Sequence, residues 1–272
     1  MRTFADKSTP LASRIGVFDS GLGGLSVLRA LRERLPSADL HYLADSKYAP
    51  YGERSTDEIV QRSLAIAQTL LNAGAGILVV ACNTATAHAV QALRGRWPDL
   101  PIVGVEPGVK PAVALSPLGR IGVMATPATI KSSRFATLLE RYAGQAHWHL
   151  QPCPGLAAAI ETHALTDPHL GEVARPFVDA LLRAQVDTVV LGCTHYPLIA
   201  DVLREQFGPA VRLVDTSAAV AEQAAKRYEA SPLPSATSIA RLVIQTTGGI
   251  ERLRLVTQQW LNLAVQVDII DC

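Results

Sequence analysis

The sequence predicts an α/β protein made of two similar doubly wound parallel-sheet units. Three observations carry that prediction. Apolar, β-branched runs alternate with helix-like stretches along the chain. The tetrapeptide Arg-Ile-Gly-Val opens at Arg14 and again at Arg120, and the strand–loop–helix order restarts at the second copy. Two further near-copies, Ile77-Leu-Val-Val-Ala-Cys82-Asn83-Thr84 and Thr188-Val-Val-Leu-Gly-Cys193-Thr194-His195, fall one in each half.

The elements follow in order. Residues 14–18 read as a buried strand, followed by the loop Asp19-Ser20-Gly21-Leu22-Gly23-Gly24 and a helix over 25–35 that Pro36 ends. A strand over 39–44 leads into the polar loop from Asp45 to Gly52. A helix over 55–73 starts at a capping box, with Ser55 or Thr56 as the cap and Glu58 in the first turn. A strand over 76–81 delivers Cys82, a helix covers 85–95, and 102–105 is a short strand. The second unit repeats the scheme, with strands over 120–124 and 147–151 and helices over 133–142, 156–163 and 171–184. A strand over 187–191 then delivers Cys193. The tail holds a strand over 211–214, a helix over 218–228, a loop rich in Ser and Pro over 231–235, and strands over 240–246 and 265–270. The expected domains are residues 1–105 with the returning tail 214–272, and residues 106–213.

Composition narrows the function classes. The 272 residues suffice for a sizeable core, and 49% of them are hydrophobic against 18% charged. A net charge of +1 gives no electrostatic case for nucleic acid or an anionic membrane. Residues 1–14 lack the apolar stretch of a signal peptide, and no apolar run is long enough to span a bilayer. A cytoplasmic protein with reduced thiols is expected, and the spacing of Cys82, Cys153, Cys193 and Cys272 lacks the paired pattern of a zinc site.

The chemistry centres on Cys82 and Cys193. Each stands where a buried parallel strand ends, the edge at which open α/β sheets bind ligands. Each precedes short polar residues and an expected helix N-terminus, which lowers a thiol pKa. Two thiols delivered alike suggest a pair of acid/base groups facing one substrate. Asn83, Thr84 and Thr194 suit a carboxylate ligand, although each could equally serve as a helix cap. The glycine-rich loop after Asp19 offers backbone N–H groups to an anion, or is simply a tight turn. Ser26 stands where a dinucleotide-binding fingerprint needs its last glycine, which argues against a nicotinamide or flavin cofactor. Cys153 and Cys272 read as small buried hydrophobes. His195 reads as an assistant to Cys193. Glu161, taken alone, reads as a solvated helix charge.

These residues also carry a resemblance. The chain is similar to the glutamate racemases of bacterial cell-wall synthesis, within the cofactor-independent amino-acid racemase superfamily. The likeness runs from about Ile15 to Thr247. It rests on Gly16-Val-Phe-Asp19-Ser20-Gly-Leu-Gly-Gly-Leu25, Tyr48-Ala-Pro50-Tyr51-Gly52, Ala81-Cys82-Asn83-Thr84-Ala85 and Leu191-Gly-Cys193-Thr194-His195-Tyr-Pro-Leu198. The polar N-terminal extension and the Thr126-Pro-Ala-Thr129 loop depart from the pattern. The resemblance implies a site in the cleft between two α/β domains, no cofactor and no metal. It further implies a homodimer, glutamate as substrate, and D-glutamate supplied for peptidoglycan. It gives Cys82 the D-isomer and Cys193 the L-isomer, with Asp19 beside Cys82, and with His195 and Glu161 beside Cys193. It assigns Asp19, Ser20, Tyr51, Gly52, Asn83, Thr84, Thr126, Thr194 and His195 to substrate binding. Two other readings are an aspartate racemase or related isomerase on the same fold, and an idle binding protein.

Overall fold

The computed structural model describes residues 14–231 and 240–272; the Ser/Pro-rich stretch and the N-terminal segment fall mostly or wholly outside them. One sheet is built from β1 (Arg14–Asp19), β2 (Asp39–Ala44), β3 (Ala75–Val80), β4 (Ile102–Gly104), β9 (Leu242–Thr246) and β10 (Val267–Ile269), in the order β10-β9-β2-β1-β3-β4. The other is built from β5 (Arg120–Ala125), β6 (His147–Pro152), β7 (Thr188–Leu191) and β8 (Arg212–Val214), in the order β6-β5-β7-β8. All neighbours pair in parallel. The protein is thus two doubly wound α/β domains. The central order of the first sheet, β2-β1-β3-β4, matches that of the second strand for strand. β3 and β7, the strands that precede the two cysteines, hold equivalent places beside β1 and β5.

The repeated Arg-Ile-Gly-Val has the same packing reason in both domains. A Cβ on Gly16 would stand 2.9 Å from the Ala75 Cβ and 3.1 Å from the Leu70 Cβ. A Cβ on Gly122 would stand 2.9 Å from a Leu181 methyl. The missing side chain lets a covering helix press onto the middle strand, α2 (Thr56–Asn72) in the first domain and α8 (Pro168–Arg183) in the second. β3 is buried throughout, as a parallel strand covered on both faces must be. The capping box of α2 forms: the Glu58 N–H donates to the Ser55 hydroxyl at 3.3 Å, and the Ser55 N–H donates to the Glu58 carboxylate at 3.1 Å.

The other helices are α1 (Leu25–Arg34), α3 (Asn83–Arg96), α4 (Val109–Leu115), α5 (Pro127–Lys131) and α6 (Ser133–Glu140). After them come α7 (Leu156–Thr162), α9 (Ala200–Phe207), α10 (Ser217–Glu229) and α11 (Ile250–Leu261). α4, α5, α9 and α11 have no counterpart in the sequence reading. α11 buries Leu253, Val256 and Leu261, a helical spacing that its many polar residues obscure. Residues 105–108 lead from β4 of the first sheet to α4, and residues 215–216 from β8 of the second sheet to α10. β8 pairs with β7, whereas α10 packs on α1, and β9 pairs with β2. The two crossings lie side by side: a Cβ on Gly108 would stand 2.8 Å from Thr216 Cγ2 and 3.1 Å from Val214 Cγ1.

Candidate active site

Cys82 leaves β3 in an extended conformation and caps α3. Its sulfur accepts the Ala85 N–H at 3.4 Å, and its thiol donates to Ser20 Oγ at 3.7 Å. The expected lowering of its pKa by the helix start does not prevail. Burial comes first and pushes the thiol well up, the Asp19 carboxylate pushes it further, and the Ala85 and Ser20 bonds only oppose this. Cys193 adds in the same sense.

Cys193 has a different neighbourhood. No α-helix starts behind it; a 3-10 turn, Tyr196–Ile199, intervenes before α9. The Tyr196 N–H, which stands to Cys193 as the Ala85 N–H stands to Cys82, donates to the Cys193 carbonyl at 3.1 Å and not to the sulfur. In place of a helix start the sulfur has a side chain, with His195 Nδ1 at 3.6 Å. His195 Nε2 lies 2.5 Å from Glu161 Oε1. Burial alone would lower the imidazole pKa, but the bonds to Cys193 and Glu161 outweigh it and hold the pKa well above its usual value. Glu161 is therefore no solvated helix charge; its side chain is 12% exposed and paired.

The glycine-rich loop holds anions, but they are the protein's own. Asp19 Oδ2 accepts the N–H groups of Gly21 at 3.1 Å and Gly24 at 3.0 Å. Glu161 Oε1 accepts the Leu22 N–H at 2.7 Å. The loop threads so close to the second domain that a Cβ on Gly23 would stand 2.6 Å from both His195 Nδ1 and Thr194 Oγ1. Asp19 bonds not to Cys82 but to Thr194, whose hydroxyl donates at 3.4 Å, and it touches Cys82 through its charge. Its own carboxyl is pushed up, first by burial, with His195 opposing.

The remaining expected residues gather at the same cleft. Asn83 is buried, and its amide nitrogen finds no partner among the described residues. Thr84 Oγ1 lies 3.0 Å from Thr126 Oγ1 and 3.3 Å from Thr129 Oγ1, linking the domains. Gly52 abuts Thr126, where a Cβ would stand 2.8 Å from two of its carbons. The Tyr51 phenol donates to Asp45 at 2.6 Å, while Asp45 also accepts from Arg62 and Thr247. Asp45, Arg62 and Thr129 escaped the sequence reading. Only Asp45 carried a signal, since it directly follows β2, one place beyond the residue that pairs with Asp19. Both cysteines are nearly closed off, at 4% and 6% exposure. Among the described residues no cluster of His, Cys, Asp and Glu is arranged to hold a metal, and no helix is long and apolar enough to cross a membrane.

Comparison with known proteins places the chain in a family. A family model described as Asp/Glu/Hydantoin racemase matches residues 15–224. The glutamate racemase of Ectopseudomonas mendocina is 45% identical over 255 residues, covering 94% of this chain and 97% of that protein. That of Pseudomonas syringae pv. tomato is 51% identical over 209 residues, covering 77% and 76%. Among solved structures, a glutamate racemase from Bacillus anthracis superposes with a TM-score of 0.85 at 29% identity, covering 95% of this chain and 97% of that one. The Escherichia coli glutamate racemase, in complex with L-glutamate and an activator, gives 0.81 at 34% identity over 95% and 97%. The chain belongs to the Asp/Glu/Hydantoin racemase family, and within it is an amino-acid racemase of the glutamate racemase group.

Proposed function

We propose that the protein interconverts L- and D-glutamate by proton transfer between two cysteines, without a cofactor. The observation that carries this reading is the contrast between two thiols at one closed cleft. One has an imidazole at 3.6 Å, and the other has a helix start and the Ser20 hydroxyl, at 3.4 and 3.7 Å. The Cys193 sulfur, beside His195 Nδ1, takes the α-proton from one face of L-glutamate. The Cys82 thiol then gives its proton to the opposite face, and D-glutamate leaves. Sulfur ends protonated on Cys193 and ionised on Cys82, the state that runs the reverse reaction. A single base would tend to return the proton to the face it came from; a pair inverts it. The assignment of each cysteine to one enantiomer comes from the family likeness.

An amino-acid α-proton is far less acidic than a thiol of pKa about 8.5, so the site must stabilise a carbanion-like intermediate with fixed donors in a dry cleft. The Asn83 amide, the Ser20, Thr84, Thr126 and Thr194 hydroxyls and the backbone of Tyr51 and Gly52 are the groups proposed to hold the substrate. Asp19 would receive its ammonium group. Structures of relatives in complex with D-glutamate, from Francisella tularensis, and with L-glutamate, from Escherichia coli, support the choice of substrate. The proposal extends to a cytoplasmic homodimer that supplies D-glutamate for peptidoglycan.

The test is incubation with L-glutamate in deuterated water under a thiol reductant. D-glutamate carrying deuterium at the α-carbon is the expected product. If neither inversion nor exchange occurs, the reading fails, and faster turnover of aspartate would move it to that substrate.

A further inference from the structure

Arg252 lies on α11, in the first domain, yet its hydrogen bonds run to the second. Its Nε donates to the Glu161 carbonyl at 3.0 Å, and one terminal nitrogen donates to the Ile160 carbonyl at 2.9 Å and to the His163 carbonyl. These three carbonyls form the C-terminal end of α7, whose last turn leaves acceptors without helical partners. A cation there also meets the negative end of the helix dipole. The guanidinium is half-buried, and burial draws its pKa down against the pull of the Glu161 charge.

Glu161 is thereby tied to the first domain at both ends. Its carboxylate accepts the Leu22 N–H at 2.7 Å, and its carbonyl accepts from Arg252 at 3.0 Å. Between these ties its Oε1 stands 2.5 Å from His195, which in turn stands 3.6 Å from the Cys193 sulfur. We propose that Arg252 is a positioning residue for the Cys193 half of the site. It fastens the end of α7 across the cleft, and so fixes where Glu161 holds the imidazole. Nothing comparable runs from Arg252 to Cys82, which answers to Ser20 and Ala85. Loss of Arg252 therefore slows proton transfer at one sulfur more than at the other. The inference rests on the two-cysteine reading above.

The experiment uses the full chain and glutamate of each hand carrying deuterium at the α-carbon. Arg252→Met, Arg252→Lys and, as a control on the same helix, Arg254→Gln are compared with the parent protein. Thermal unfolding is followed in parallel. For Arg252→Met, kcat falls about tenfold, since sub-ångström to ångström misplacement costs up to roughly 10²-fold. The lysine variant keeps the charge but cannot span three carbonyls, and it loses less. The isotope effect on kcat/KM rises for the enantiomer whose α-hydrogen goes to Cys193 and falls for the other. A structural role alone would shift thermal stability and leave both isotope effects where they were. Equal changes for both enantiomers, or none, overturn the proposal. If Arg252→Met is too unstable to assay, the lysine variant carries the same comparison. A parent protein that turns over neither enantiomer would refute the racemase reading itself, which is a different result from an active parent with symmetric variants.

Discussion

Cys82 and Cys193 stand at the ends of equivalent strands in equivalent sheets, yet they are served by different chemistry. Cys82 has a helix behind it, and its sulfur takes a backbone N–H from the first turn at 3.4 Å. Behind Cys193 a 3-10 turn replaces the helix, and the corresponding N–H, that of Tyr196, donates to the Cys193 carbonyl at 3.1 Å instead. His195 and Glu161 stand in for it. A duplicated backbone therefore delivers two sulfurs alike, and local sequence decides how each is stabilised as an anion. Helix N–H groups provide a fixed partial charge, whereas an imidazole–carboxylate pair provides a whole one that can move its proton.

The comparison breaks most visibly at the sulfurs. Cys82→Ser and Cys193→Ser each lower racemisation by about 10²–10⁴-fold, the worth of a positioned acid or base. Each variant still washes solvent deuterium into one enantiomer, the one facing the surviving thiol, as proton NMR at the α-carbon reports. Exchange lost equally from both enantiomers would contradict the two-base scheme.

Asp19→Asn is the next largest, with kcat down roughly 10²-fold. Its effect on stability runs the other way. The Asp19 carboxyl is pushed above its ordinary value of 3.8, so its favourable neutral form is fully available below that pH. Stability is lost as the pH rises through the folded pKa. Asparagine keeps an acceptor for Gly21 and Gly24 without the buried charge, so Tm at neutral pH holds or rises. A clear fall in Tm would mean that the ionised carboxylate is stabilising.

Glu161→Gln sharpens the asymmetry at smaller cost, with kcat about tenfold lower, at the weak end of general acid–base effects. His195 sits above its usual pKa, so its contribution to stability is complete below about 6.5 and is lost as pH climbs through the folded value. Without the Glu161 charge that loss begins at lower pH. Thermal melts across pH 6–9 at ~0.5-unit steps would resolve it, because one pKa unit corresponds to roughly 1.4 kcal/mol. Identical profiles for parent and variant would remove Glu161 from the imidazole's support. Gly52→Ala has the smallest effect. Its methyl would crowd Thr126 across the cleft, costing about 1 kcal/mol of closure, so KM rises about fivefold while kcat and Tm change little.

Much of this was legible in the sequence, and the reasons are local. β3 is buried along its whole length, so its residues form one unbroken apolar run that ends at Cys82. The same logic exposes β7 and Cys193. The capping box of α2 can be read because its two partners lie three residues apart. What escaped depends on segments that are distant in the chain. Leu22 meets Glu161 across 139 positions, and Asp45 meets Thr247 across 202. No periodicity encodes such meetings, which is why Glu161 by itself looks like a surface charge, and why Arg252 carries no signal. The direction of the Cys82 pKa was misread for a related reason. A helix start is visible in sequence, but the depth at which the fold buries it is not.

The two interdomain strands touch at Gly108 and Thr216, which has a consequence for how a ligand gets in. Beyond these two covalent connections, the Leu22–Glu161 bond and the three Arg252 bonds also run from one domain to the other, so a ligand that needed the domains apart would have to break them all.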